Sequence, residues 1–324
     1  MKFTTFSKIL TVFLVLILSN SAFACDLHAV CSPIDINKGA KDTFQLGISH
    51  QFTHFESNLR PEGFEKFPGQ HLESNITQIF GIYNLSERLS LQSNLPLIFR
   101  DYQRIKNSQL EKSSENGIGD ISLLAKYSMF RAHQDNSTVI WEILGGVKLA
   151  TGDSDRLKEE QDAFRESHAR HSGEEGNLVG GDHLALGSGS YDFILGTAIF
   201  YQLDDFYFNG NLHYTLRQEG DFDYEFGNGV QWDLGPAYYV SRTETGAFST
   251  RIKLSGDYKS ADKISGQSLT NSADKNIYLG PEIWYARGND WSLKLGLDIP
   301  VETNSSAEEV VPKYRVLSTF TASF

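Results

Sequence analysis

Apolar residues return at every second position along most of this 324-residue chain, in stretches separated by polar turns. Period-two alternation predicts strands with one oily face and one wet face. Twelve such stretches are predicted: 43–56, 72–84, 88–101, 118–131, 137–151, 189–202, 205–218, 226–240, 247–260, 275–286, 290–301 and 313–324. Stretch 137–151 sets Val139, Trp141, Ile143, Gly145, Val147 and Leu149 on one side against Glu142 and Lys148 on the other. Stretch 290–301 sets Trp291, Leu293, Leu295, Leu297, Ile299 and Val301 against Ser292, Lys294 and Asp298. The closing stretch, YRVLSTFTASF from Tyr314 to Phe324, keeps the same rhythm to its last residue.

The connections alternate in length. Short turns fall at Leu85–Glu87, Ala132–Asn136, Leu203–Asp204, Ser241–Gly246 and Arg287–Asn289; long polar loops fall at 57–71, 102–117, 152–188, 219–225, 261–274 and 302–312. Strict alternation of short and long, with both ends of the strand array on the short-turn side, predicts an all-β, up-and-down antiparallel transmembrane β-barrel of about 12 strands. The competing arrangement is a soluble antiparallel sheet that turns its charges outward and its apolar side inward. Aromatic residues decide between them. Tyr83, Phe130, Tyr201, Phe206, Tyr238, Phe248, Tyr285, Trp291 and Phe324 all sit beside the short turns, as a membrane-interface girdle requires.

The N-terminus fixes the compartment. Lys2 and Lys8 precede the apolar run Ile9–Leu18, and Ala22-Phe23-Ala24 supplies a small-residue cleavage pattern. That order reads as a secretory signal peptide over 1–24, followed by a periplasmic segment over 25–42 and a barrel over 43–324. The apolar run is too short for a spanning helix of about 20 residues. Cys25 raises lipidation, although Ala22-Phe23 fits a lipoprotein site poorly. Localisation in the outer membrane of a Gram-negative bacterium follows. A formal charge of −12 argues against nucleic acid as a partner. Cys25 and Cys31 form a disulfide in the simplest reading; with His28 they could instead grip a soft metal.

Four runs resemble one known family: NGIGDISLLAKY (Asn116–Tyr127), GGVKLATGD (Gly145–Asp153), LGSGSYDFILG (Leu186–Gly196) and FGNGVQWDLGPAYY (Phe226–Tyr239). They are similar to the outer-membrane family named for the meta-pathway of phenol degradation, whose members look like exported barrels and are described as transporters. The shared pattern is G-x-G-D, then K-Y, then K-x-x-T-G and G-S-G-S-x-D, with Ala150 where the family more often carries Pro. The resemblance implies transport, with small aromatic or apolar compounds as candidate solutes. The run CDLHAVCSPID resembles the mature start of a related group reading C-D-L-C-A; here His28 replaces the second cysteine and Cys31 follows three residues later.

By parity the lumen-facing, pore-lining set is Asp120, Lys126, Glu142, Lys148, Asp192, His213, Arg217, Asp233, Arg251, Lys253, Glu282, Lys294 and Asp298. Both signs are interleaved, so these groups either line a narrow conduit or pair into a salt-bridged plug, since twelve strands enclose little spare room. The loop 152–188 holds DRLKEEQDAFRESHARH (Asp155–His171), of helix-forming composition. A solvated surface helix is its plainer outcome, and a fold back into the mouth as a constriction is the alternative. His168, His171, Glu175, Asp182 and His183 gather donor atoms without a recognised metal spacing, so no metal and no cofactor are expected. His50 and Ser318 share the apolar parity of the first and last strands and would meet on closure, but no G-x-S-x-G elbow occurs, and no enzyme is expected. The expected function is an outer-membrane channel passing a small solute by passive diffusion, with lipid as its surroundings. A non-conducting structural or partner-docking barrel is the alternative.

Overall fold

A computed structural model describes residues 43–57, 69–167, 177–269, 272–304 and 310–324. Cys25, His28, Cys31, His168, His171 and Glu175 lie outside them. Sixteen strands occur in the described residues. The first eight are β1 (Phe44–Glu56), β2 (His71–Asn84), β3 (Leu89–Lys106), β4 (Gln109–Ile118), β5 (Ser122–Gln134), β6 (Ser137–Lys148), β7 (Asp192–Leu203) and β8 (Phe206–Leu216). The rest are β9 (Tyr224–Glu225), β10 (Gly229–Thr243), β11 (Gly246–Lys259), β12 (Lys263–Ile264), β13 (Gln267–Ser268), β14 (Asp274–Arg287), β15 (Trp291–Asn304) and β16 (Val311–Ser323). Two α-helices are described: α1 (Leu157–Ser167) and the single turn α2 (Gly181–Leu184). Neither is long and apolar enough to cross a membrane.

Antiparallel neighbours run in chain order around a closed wall, and β1 completes the circuit by pairing with both β2 and β16. Phe44 and Phe324 exchange backbone hydrogen bonds of 3.2 and 2.8 Å at this seam. Strands β4 and β5 both lie against β3, on its upper and lower halves, and together count as one wall element broken at 119–121. The wall is therefore a twelve-stranded up-and-down barrel, as predicted.

The outer face is apolar. Leu46, Ile79, Leu123, Ile143, Leu195, Ile252, Ile283 and Leu295 are exposed on eight different strands, and Ile252 shows 61% of its surface. A soluble protein does not leave a continuous apolar band of this kind in water. Seven girdle aromatics, Tyr83, Phe130, Tyr201, Phe206, Tyr238, Tyr285 and Phe324, are likewise exposed beside the short turns. The barrel is of the outer-membrane kind, and lipid covers its greasy side.

Two sequence expectations need correction. Residues 102–117, expected as a polar loop, instead carry the β3–β4 hairpin upward from the barrel, with Asn107 and Ser108 at φ 51° and 57° at its tip. Two consecutive left-handed residues are what a tight hairpin turn needs. The expected strand 118–131 accordingly begins at Ser122. The second correction concerns 152–188. It is not a solvated helix: Leu157, Val179, Leu184 and Ala185 are fully buried, and the segment folds into the barrel mouth. Short strands β9, β12 and β13 form a small separate sheet beside it, within the stretches 219–225 and 261–274 expected as long polar loops.

Candidate functional site

The described part of the β6–β7 connection packs into the barrel mouth as a plug. One side of this plug packs Leu157 and Ala185 against Tyr224, Phe226, Ile264 and Leu269. Its other side packs Leu178, Val179 and Leu184 against Phe55, Leu72, Tyr102 and Val310. Burying apolar side chains from several loops at once gives the plug a core of its own.

Polar contacts clasp it to the raised β3–β4 hairpin. Arg104, with no exposed surface, donates to Glu111 at 2.8 Å, to Glu159 of α1 at 2.8 and 3.2 Å, and to the Val179 carbonyl at 3.2 Å. Lys106 reaches Glu159 at 2.8 Å and Arg156 reaches it at 2.6 Å. Arg156 also donates to Glu115 at 2.9 Å and to the Tyr102 hydroxyl at 3.1 Å. Arg100 donates to the carbonyls of His183 and Ala185. Burial works against an ionised Glu159, but hydrogen bonds from Arg104 and Lys106 outweigh it and hold its carboxyl down at about 2. Glu111 is lowered in the same way, since the Arg104 bonds overcome its desolvation.

Beneath the plug, the motif segments meet at one point. Lys148 places its ammonium 2.5 Å from Asp120 Oδ2 and 3.0 Å from Asp192 Oδ2, and Arg217 lies 3.6 Å from Asp192. Asp120, seated in the break between β4 and β5, accepts from the amides of Thr151, Gly152 and Ser188 at 3.1, 2.9 and 2.9 Å. Ser190 donates to Asp192 at 2.8 Å. The G-x-G-D aspartate, the K-x-x-T-G lysine and the G-S-G-S-x-D serines and aspartate thus form one buried node at the plug's root. Phe226, from the fourth motif, lies under Arg217 and Lys259 at 5.7 and 5.8 Å.

Farther down, the lumen is asymmetric. The β10–β16 side carries paired charge: Arg251 with Asp233 at 2.6 Å and Glu282 at 3.5 Å, Lys253 with Asp298 at 3.0 Å, and Arg315 with Asp257 at 3.5 Å. The adjoining strands β1 and β2 offer the neutral or apolar side chains of Ser49, Gln51, Ile76 and Gln78. Between them lies a cavity of about 200 Å³. Asn209, Asn211, Glu282 and Lys294 line both this cavity and a vestibule of about 440 Å³ at the short-turn end, so the two spaces adjoin. Another sector of wall is filled by Leu124, Leu144, Ile194 and Ala198.

Eleven of the thirteen residues expected inside fall into two groups, and Lys126 and Glu142 lie apart from both. Asp120, Lys148, Asp192 and Arg217 meet at the plug's root, whereas Asp233, Arg251, Lys253, Glu282 and Asp298 pair around the cavity. Lys294 and His213 also line the cavity. Lys126 is buried, and Glu142 accepts from Ser128 at 2.8 Å and lies 3.8 Å from Arg131. Sequence reasoning missed Arg100, Arg104, Glu111, Glu115 and Glu159. The polar pair Asn107-Ser108 was the available turn signal for the hairpin that carries four of them. Asp182 and His183 bind each other at 3.0 Å, and the described residues hold no cluster of metal-ligand type. His50 and Ser318 are register partners across the seam, as expected, but His50 Nδ1 bonds Thr77 Oγ1 at 2.9 Å.

Residues 176–310 match the family described as "Putative MetA-pathway of phenol degradation". The match takes in two of the four runs from which the resemblance was read, Leu186–Gly196 and Phe226–Tyr239, and there the resemblance is borne out. Among solved structures, an outer membrane channel from Pseudomonas putida is similar at 17% identity and TM-score 0.60, covering 90% of this chain and 99% of that one. At that identity the likeness concerns the fold. The CymD monoaromatic hydrocarbon channel is 10% identical with TM-score 0.37, covering 88% and 89%. A FadL homologue of Pseudomonas aeruginosa is 8% identical with TM-score 0.35, covering 88% and 90%. No curated protein matches.

Proposed function

We propose that this barrel is an outer-membrane channel that passes a small solute, aromatic or apolar, by passive diffusion, with the β6–β7 plug as its gate. The observation that carries the reading is the pair of adjoining spaces in the lumen, about 200 and 440 Å³, beneath a plug held by side-chain contacts. An ion-pair clasp and a loop core can release without breaking the barrel's hydrogen-bonded wall, which is what a gate requires. The similar fold of an outer membrane channel from Pseudomonas putida supports the same reading.

Uptake of a small aromatic into liposomes, together with planar-bilayer conductance, tests it. Gly181 packs against the Arg156 carbonyl, so excising 157–180 joins backbone that is already adjacent. The excised form is expected to conduct and to take up solute faster than the full chain. If neither form passes solute or current, the channel reading falls and a structural or docking barrel takes its place.

A further inference from the structure

Four aromatic rings stand inside the barrel, where lipid cannot account for them. Phe200 on β7, Tyr207 on β8, Tyr239 on β10 and Trp284 on β14 all line the short-turn vestibule. Their centroids follow one another at 5.6, 4.7 and 6.2 Å, forming an arc along the inner wall. Lumen positions of a water-filled barrel are ordinarily polar, so an arc of rings there needs a cause other than solvent. A 440 Å³ space lined by rings is the size and character of a small-molecule site.

The polar groups in the vestibule point to a ligand that donates. Asn209 Oδ1 and Asn211 Oδ1 are buried acceptors with no hydrogen-bond partner among the described residues. Asn211 gives its amide nitrogen to Asp233 at 2.9 Å, which leaves the carbonyl oxygen as the open end. The Tyr207 hydroxyl is already engaged with Ser249 at 2.8 Å, and Arg251 reaches Glu282. At the rim, Arg242 lies over Tyr239 at 5.1 Å while bound to Asp205.

We infer that this vestibule is a binding site for a single-ring aromatic bearing an O–H or N–H donor, with the ring on the Tyr239–Trp284 arc and the donor on the Asn209 and Asn211 carbonyls. The inference rests on the channel reading and places the solute's last stop where the inner cavity meets the exit. A flat ring gains dispersion and quadrupole attraction from the arc, and its donor satisfies acceptors that otherwise stay desolvated.

Calorimetric titration of the detergent-solubilised full chain tests it with phenol, toluene (ring without donor) and cyclohexanol (donor without flat ring), each corrected against protein-free micelles. Phenol is expected to bind more tightly than either control. Trp284→Leu and Tyr239→Leu should each weaken phenol by about five- to tenfold, while Tyr239→Phe and the outward-facing Tyr201→Leu should leave it unchanged. Asn209→Leu should erase the preference of phenol over toluene. The site is overturned if phenol does not bind, if cyclohexanol matches it, or if both leucine variants bind normally. Liposome uptake by the unmodified chain separates the two proposals: uptake without vestibule binding sinks the site alone, and binding without uptake sinks the channel alone.

Discussion

Lys148 stands 2.5 Å from Asp120, joining segments 28 positions apart beneath the plug, and its ammonium also reaches Asp192 at 3.0 Å. A single cation thereby neutralises two buried carboxylates. Removing it strands both in a medium of low polarity. Lys148→Met is expected to cost about 3–5 kcal/mol, read as a lower urea midpoint in detergent by tryptophan fluorescence. Adding Asp120→Asn and Asp192→Asn to the same chain should restore most of the loss. A midpoint that Lys148→Met leaves unmoved would mean the node carries no stability.

The clasp at Glu159 has a definite acid dependence. Its carboxyl is held at about 2 in the folded protein, against an ordinary value of 4.5. A depressed carboxylate stabilises most above its unfolded value and loses that contribution as pH falls through the folded one. The plug's hold is therefore expected to be complete above about pH 4.5 and to fade toward pH 2. Single-channel recordings should show openings rising across that window in the full chain. Glu159→Gln should open more at neutral pH and lose most of the acid response.

How far these contacts could be read beforehand depends on their sequence range. Alternation such as Trp291 to Val301 is local, so the strands and the barrel they build were legible. The hairpin that raises Arg104 and Glu111 was missed because Asp101-Tyr102-Gln103-Arg104 is polar on both parities, above the level where lipid imposes contrast. The clasp of Arg104 on Glu159 spans 55 positions and depends on how the plug folds. The helix over 157–167 was legible from its composition. Its inward placement was not, since Leu157 and Phe164 supply few apolar positions and the burial comes from Tyr224, Ile264 and Leu269 in other loops.

Glycine packing at the plug's root gives a sharper test than charge. A Cβ on Gly187 would lie 2.5 Å from the Gly152 carbonyl carbon, and one on Gly152 would lie 2.8 Å from Gly187 Cα and the Leu186 carbonyl oxygen. Backbone cannot rotate aside as a side chain can. Gly187→Ala is expected to cost about 1–3 kcal/mol through forced backbone shifts. Gly145→Ala, whose new methyl would meet only Leu195 at 3.8 Å, should be close to neutral. Heat-modified gel mobility and the urea midpoint check both variants.

Ile252 and Lys253 are neighbours in β11 on opposite faces of the wall. Ile252 is exposed midway along the strand, whereas Lys253 is buried 3.0 Å from Asp298. If water bathed the outer face, Ile252→Arg would be an unremarkable surface change. With hydrocarbon there, an arginine near the midplane is expected to cost about 2–4 kcal/mol. Moving the charge to the rim should relieve the penalty, so Tyr238→Arg beside a short turn should cost about 1 kcal/mol or less. Folding into lipid vesicles, measured by urea titration, separates the two positions. Equal, small effects at both would remove the physical basis for placing lipid against these strands.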